Sequence, residues 1–181
     1  VGLRFDLTVP LARIVASNLH LPKPFKRYAI GKAWRYDRPQ AGRYREFLQA
    51  DADIIGSESP AADAEVVLLA LEFARRIFEK DYIIKVNNRK VLRGLIEVAG
   101  VSRDLENECF RAMDKLEKIG KDGVREELKQ RGISGSATKF LLGVVGIKGK
   151  SKSVLSEFRE VLNGNEVGLQ GTDELEYMAD I

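Results

Sequence analysis

The chain is poor in the residues that much hydrolytic and metal chemistry needs. Its 181 residues include one cysteine, Cys109, and one histidine, His20. That excludes a disulfide scaffold, a Cys/His zinc site and a Cys–His dyad, and leaves only His20 to build a Ser–His–Asp triad on. A single thiol fits a reducing compartment. No apolar run approaches the ~18–20 residues of a membrane helix. No secretory signal opens the sequence, and Val1 in place of Met reads as the start of a fragment. Phosphate loops are missing as well. Gly146–Ser151 ends in Gly-Lys-Ser, but the required spacing puts the first glycine at Val144, and no clear strand feeds into it.

What remains is an ordinary globular composition, 44% hydrophobic and 31% charged, with a net charge of +3. The charge is unevenly spread. Residues 1–50 carry ten basic and three acidic side chains, and most of the basic ones are arginines. The planar arginine fork suits phosphate and carboxylate better than a lysine point charge does. Residues 111–160 hold a second excess, twelve basic against seven acidic.

The patterning predicts an α+β chain. A short helix is expected from Thr8 to about Leu19, with Thr8 as its cap. Strands are expected at Phe25–Asp37 and Tyr44–Ile55, joined by a mobile, cationic loop over 38–43 that is too long for a tight hairpin turn, with a third strand at Tyr82–Val86. Ala61–Lys80 is apolar almost all round, which predicts a helix buried against the back of the sheet. After Asn87 short helical periods follow: Arg89–Ala99, Arg103–Ile119, Asp122–Gln130, Ala137–Val145, Lys152–Leu162 and Thr172–Ala179.

Side chains alternate faces along a strand. Arg45, Phe47, Gln49, Asp51 and Asp53 share one face, and Leu48, Ala50, Ala52 and Ile54 the other, which is expected to pack on the core. In the first strand Arg27, Ala29, Gly31, Ala33, Arg35 and Asp37 share a face. Small residues beneath two arginines leave room for something to lie on the sheet. The polar row offers phosphate-binding forks, a stacking ring and groups that can orient an ammonium; a merely solvated hairpin face is the alternative.

At these residues the sequence resembles a known family. Leu3-Arg4-Phe5-Asp6-Leu7-Thr8-Val9-Pro10 and the string from Trp34 to Phe47 are similar to histidyl-tRNA synthetases of the archaeal and eukaryotic style. The second string resembles the class II motif 2 hairpin, and its continuation from Gln49 to Gly56 resembles the histidine enzymes in particular. Val86–Arg89 and Ala112–Gly120 are similar to parts of that family's helical insertion domain.

The resemblance implies a partial class II catalytic domain over 1–87, a helical insertion domain over 88–170, and a return towards the catalytic domain over 171–181. It implies ATP-dependent activation of L-histidine and transfer to tRNA(His), with Mg2+ accompanying ATP, in a cytoplasmic homodimer. The residues implied for histidine are Asp6, Thr8, Arg35, Gln49 and Asp53. Those implied for ATP are Arg35, Asp37, Arg43 and Phe47. Arg35 is the expected catalytic group, bridging the α-phosphate and the amino-acid carboxylate. Asp37 stands where many class II enzymes carry glutamate. Motif 1, the histidine-specific loop, motif 3 and the anticodon-binding domain have no counterpart in the sequence, so the polypeptide alone is expected to be inactive. The alternatives are a non-catalytic regulatory subunit or tRNA sensor of the same family, and a plain tRNA-binding module.

Overall fold

The computed structural model describes residues 2–79, 81–147 and 149–180. The chain divides into two compact units, Val1–Asp81 and Tyr82–Ile181.

The first unit runs from α1 (Thr8–Ser17) through the antiparallel strands β1 (Phe25–Trp34) and β2 (Glu46–Ile55) to α2 (Pro60–Ile77). Leu7, not Thr8, stands at the start of α1, and the capping group is Asp6: its Oδ1 accepts from the backbone N–H of Thr8 and of Val9, each at 3.1 Å. Both strands are shorter than their alternating patterns because the ladder ends at the Trp34–Glu46 pair. The connection closes in a tight turn, which its length argued against. Gln40 and Arg43 exchange backbone hydrogen bonds of 2.9 and 3.2 Å around Ala41–Gly42, and Gly42 takes the positive φ of 75° that this tip requires.

The burial of the hairpin is the reverse of the expected one. Leu48 is 69% exposed and Tyr28 81%, and Ala50 and Ala52 are exposed, while Ala33 on the opposite face is buried. The chain's own N-terminal segment lies on the face of small residues. Arg4 Nε donates to the Lys32 carbonyl at 2.6 Å, Trp34 N donates to the Arg4 carbonyl at 3.0 Å, and Leu7 and Leu11 are buried. Gly31 has no side chain because Arg4 and Leu7 occupy that space: a Cβ there would meet the Arg4 guanidinium at 2.7 Å.

The expectation of a buried α2 also fails. Only Ala64 and Ala74 are buried in it, and Phe73 is 60% exposed. Two strands offer too little surface to cover a helix that is apolar all round. Between α2 and the hairpin lies a hollow of about 620 Å³, bordered by Tyr28, Ala52, Ile54, Val66 and Leu69. The helix itself is well specified at its ends, with Ser59 as cap, Pro60 at the first position, and Arg75 and Arg76 in the last turn. Lys80, the expected end of this helix, lies outside the described residues.

The second unit is helical: α3 (Arg89–Val98), α4 (Glu106–Met113), α5 (Leu116–Gln130), α6 (Gly135–Val144), α7 (Ser151–Val161) and α8 (Glu166–Ala179). Residues 82–86 form no strand. A strand needs a ladder, and among the described residues only β1 and β2 build a sheet. The expected helix over 103–119 is divided into a 3-10 turn at Arg103–Leu105, α4 and the first turn of α5, which breaks at Gly120 (φ 70°, ψ 177°). The last helix starts earlier than its apolar pattern, at Glu166, because the Asn165 side chain caps it by accepting from Gly168 N at 2.8 Å. Leu128, Val124, Cys109, Val91 and Leu162 are fully buried in one core. α3 and α8 approach closely at Gly94 and Gly168, where a Cβ on Gly94 would lie 2.7 Å from the Gly168 Cα.

Candidate active site

The half-buried face of the hairpin carries the candidate residues. Strand pairing sets Arg27 opposite Asp53, Ala29 opposite Asp51, Gly31 opposite Gln49 and Ala33 opposite Phe47. Alternation then puts the chemistry-bearing side chains in one row over a floor of small residues.

Arg35 is the most constrained of them. Its Nη2 donates to Gln49 Oε1 at 3.1 Å and its Nε to the Phe5 carbonyl at 3.3 Å. The guanidinium lies over two rings, 4.7 Å from the centre of Phe5 and 5.0 Å from that of Phe47. Gln49 is held from its other end, where Nε2 donates to both carboxylate oxygens of Asp51 at 2.9 and 3.1 Å. This chain of contacts fixes the amide with its oxygen towards Arg35. Further along the row Asp53 pairs with Arg27, and Arg27 also donates to the Leu7 carbonyl, between Asp6 and Thr8.

The structure thus joins Arg35, Gln49 and Phe47 in one cluster, and links Asp53 to the Asp6–Thr8 segment through Arg27. It does not bring in the other two. Arg43 stands exposed at the hairpin tip, and the Asp37 backbone carbonyl accepts from Arg45 Nε at 3.3 Å. At the start of β2, bonds from Lys32 and Trp34 hold the Glu46 carboxyl below its usual range.

Four residues of the site carried no assigned role in the sequence: Arg4, Phe5, Arg27 and Asp51. Arg27 and Asp51 were legible on the polar face by alternation, but their partners depend on cross-strand register. Phe5 and Arg4 lie in an irregular segment with no period to reveal them. The arrangement offers a fixed cation between two aromatic rings for an anionic phosphate or carboxylate, and carboxylate and amide oxygens for N–H donors. Among the described residues no group of three or more His, Cys, Asp or Glu side chains could hold a metal ion.

The helical unit has one notable charged feature. A cleft of about 510 Å³ between α5 and α6 is bordered by Lys121, Arg125, Lys129 and Lys139, with Glu126 as the one acidic group on its wall.

The family model described as histidyl-tRNA synthetase matches residues 1–181. A histidine–tRNA ligase of Aeropyrum pernix is 46% identical over 180 residues, 99% of this chain and 41% of the relative. One of Cytophaga hutchinsonii is also 46% identical, covering 97% of this chain and 39% of the relative. The chain therefore spans about two fifths of the length of these relatives. The crystal structure of a histidyl-tRNA synthetase from Nostoc superposes with a TM-score of 0.87 at 33% identity, over 98% of this chain and 41% of that one. A Bacillus halodurans structure titled as an ATP phosphoribosyltransferase regulatory subunit/histidyl-tRNA synthetase shares the fold, with a TM-score of 0.76 at 23% identity.

Proposed function

Because the chain belongs to the histidyl-tRNA synthetase family, we propose that it supplies the histidine- and ATP-binding half of an aminoacyl-tRNA ligase. The observation that supports this most is the clamped Arg35 beside Gln49 and Phe47 on the polar row. In this reading residues 1–87 belong to the catalytic domain and 88–170 form its insertion domain, with 171–181 leading back.

The adenylation step needs no general base. The histidine carboxylate, already ionised, attacks the α-phosphorus of ATP in line; a new C–O–P linkage forms, the bond to the bridging oxygen breaks, and pyrophosphate leaves. What must be stabilised is the negative charge gathering on the α-phosphoryl oxygens. Arg35 does this without reorganising, because two rings and the Gln49 oxygen already hold its plane. Phe47 takes the adenine, Asp37 its amino group, and Arg43 the distal phosphates. Asp6, Thr8 and Gln49 accept from the α-ammonium, and Asp53 accepts from an imidazole N–H. Mg2+ would come with ATP as part of the substrate and would share the neutralisation of phosphate charge with Arg35. In the second step the 3′-terminal hydroxyl of tRNA(His) attacks the adenylate carbonyl; the ester bond forms, the bond to the phosphate oxygen breaks, and AMP leaves with the hydroxyl proton on its phosphate. The basic cleft of the helical unit is the surface we assign to tRNA phosphates. The working enzyme is a cytoplasmic homodimer in this reading.

The regulatory-subunit alternative draws on a likeness of 23% identity, which speaks to fold alone. Amino-acid-dependent ATP–pyrophosphate exchange with the full-length gene product separates the two. Exchange with histidine alone among the twenty amino acids supports the ligase. No exchange with histidine refutes it.

A further inference from the structure

We infer that Arg27 is a positioning residue for histidine, setting Asp53 and the Asp6–Thr8 segment at a fixed separation; this rests on the histidine-binding reading above. Arg27 stands directly across the ladder from Asp53. Its Nε donates to Asp53 Oδ2 at 2.9 Å and its Nη2 lies 2.8 Å from the same oxygen. Nη2 also donates to the Leu7 carbonyl at 3.1 Å. The pair is sheltered, the side chains being 17% and 26% exposed.

Two consequences follow from this geometry. First, an aspartate carboxylate alone rotates broadly about its last torsion. The Nε–H bond, with Nη2 2.8 Å from the same oxygen, restricts that freedom. These contacts leave Oδ1, which accepts no hydrogen bond from the described residues, as the acceptor for a ring N–H. Second, the same guanidinium grips the backbone between Asp6 and Thr8. The acceptor for the ring and the acceptors for the α-ammonium are therefore gauged against each other by one rigid group. A lysine could neutralise Asp53 but could not make all three contacts, because it lacks the planar fork.

A bland cross-strand ion pair would contribute to stability only, and kinetics distinguish the two roles. Arg27→Met and Arg27→Lys are made in the full-length gene product, with melting temperature measured alongside. Losing the placement of a hydrogen-bonding acceptor weakens binding by roughly 10- to 100-fold. Arg27→Met should accordingly raise KM for histidine ~10- to 100-fold while leaving KM for ATP within about threefold, a split that marks loss of ground-state binding of one substrate. Arg27→Lys should fall between Met and wild type. The preference for histidine over thiazolylalanine, whose ring has no N–H, should shrink in Arg27→Met. Equal rises in both KM values, or an unchanged KM for histidine, would overturn the assignment. If Arg27→Met does not fold, Arg27→Lys carries the same test. A wild-type protein that fails to activate histidine would overturn the functional reading as well; one that activates it, with the Arg27 variants unaltered, overturns only this inference.

Discussion

Replacing Arg35 with alanine isolates the electrostatic part of the proposed mechanism. The side chain makes two hydrogen bonds, to Gln49 Oε1 and to the Phe5 carbonyl, and lies over two rings. Its contribution to folding is modest, since exposed cation–π contacts stabilise by ~0.5–1 kcal/mol each and the freed oxygens can be hydrated. Its contribution to the chemical step is larger. A preorganised donor aimed at developing charge is worth about 3–4 kcal/mol, or roughly 10²–10³ in rate. The two effects are separable because the first appears in melting temperature and the second in kcat. The assay is histidine-dependent ATP–pyrophosphate exchange in the full-length gene product, with histidine affinity measured independently by calorimetry. Arg35→Ala should slow exchange by two to three orders of magnitude, with a small change in histidine affinity. Arg35→Lys should rescue little, because an ammonium lacks the planar fork that meets both Gln49 Oε1 and the Phe5 carbonyl. Exchange near the wild-type rate in Arg35→Ala would refute the argument.

Four further outcomes are expected. Asp53→Ala should weaken histidine by ~1–3 kcal/mol through the orphaned ring N–H and leave ATP affinity unaltered; calorimetry showing equal losses would make Asp53 merely structural. Lys129→Glu with Lys139→Glu, on the basic cleft, should weaken tRNA binding at fixed moderate salt without affecting histidine activation, and a flat affinity would remove the cleft from the interface. Bonds from Lys90 and Asn88 depress the Glu174 carboxyl below its ordinary value of 4.5, so their stabilisation is full at neutral pH and lost on acidification below that value. The melting-temperature gap between wild type and Glu174→Gln should therefore close as pH falls below 4.5; a gap independent of pH would contradict it. Finally, hydrogen exchange on the 181-residue polypeptide should be slower in α3–α8 than in 25–55, because a two-stranded sheet with an exposed apolar face is marginal. The reverse order would mean that the hairpin finds partners in another copy.

The alternation of Arg27, Ala29, Gly31, Ala33 and Arg35 made the composition of the polar row legible before any coordinates, because a strand has only two faces. Which face is covered was not legible. The rule that apolar faces are buried supposes a layer to bury them, and within this chain the segment from Arg4 to Leu11 lies on the other side. The same supposition misled for α2, whose Phe73 has nothing broad enough to pack on. Helices of the second unit were located by their periods, and α3 begins at the expected Arg89; the bounds of α5 and the start of α8 were missed, since the break at Gly120 and capping by Asn165 are set by single residues outside the apolar pattern. Arg27 shows the remaining gap. Its face was evident, but its pairing with Asp53 follows from register, which the hairpin connection fixes.

The central claim is that histidine and ATP meet on the polar row. A crystal structure of the full-length gene product with a non-hydrolysable histidyl-adenylate analogue tests it most directly. The account predicts the imidazole against Asp53 Oδ1, the phosphate mimic on the Arg35 guanidinium and the adenine on the Phe47 ring. An analogue bound with none of these side chains in contact, on the opposite face beside Tyr28 and Leu48 or elsewhere, would contradict it.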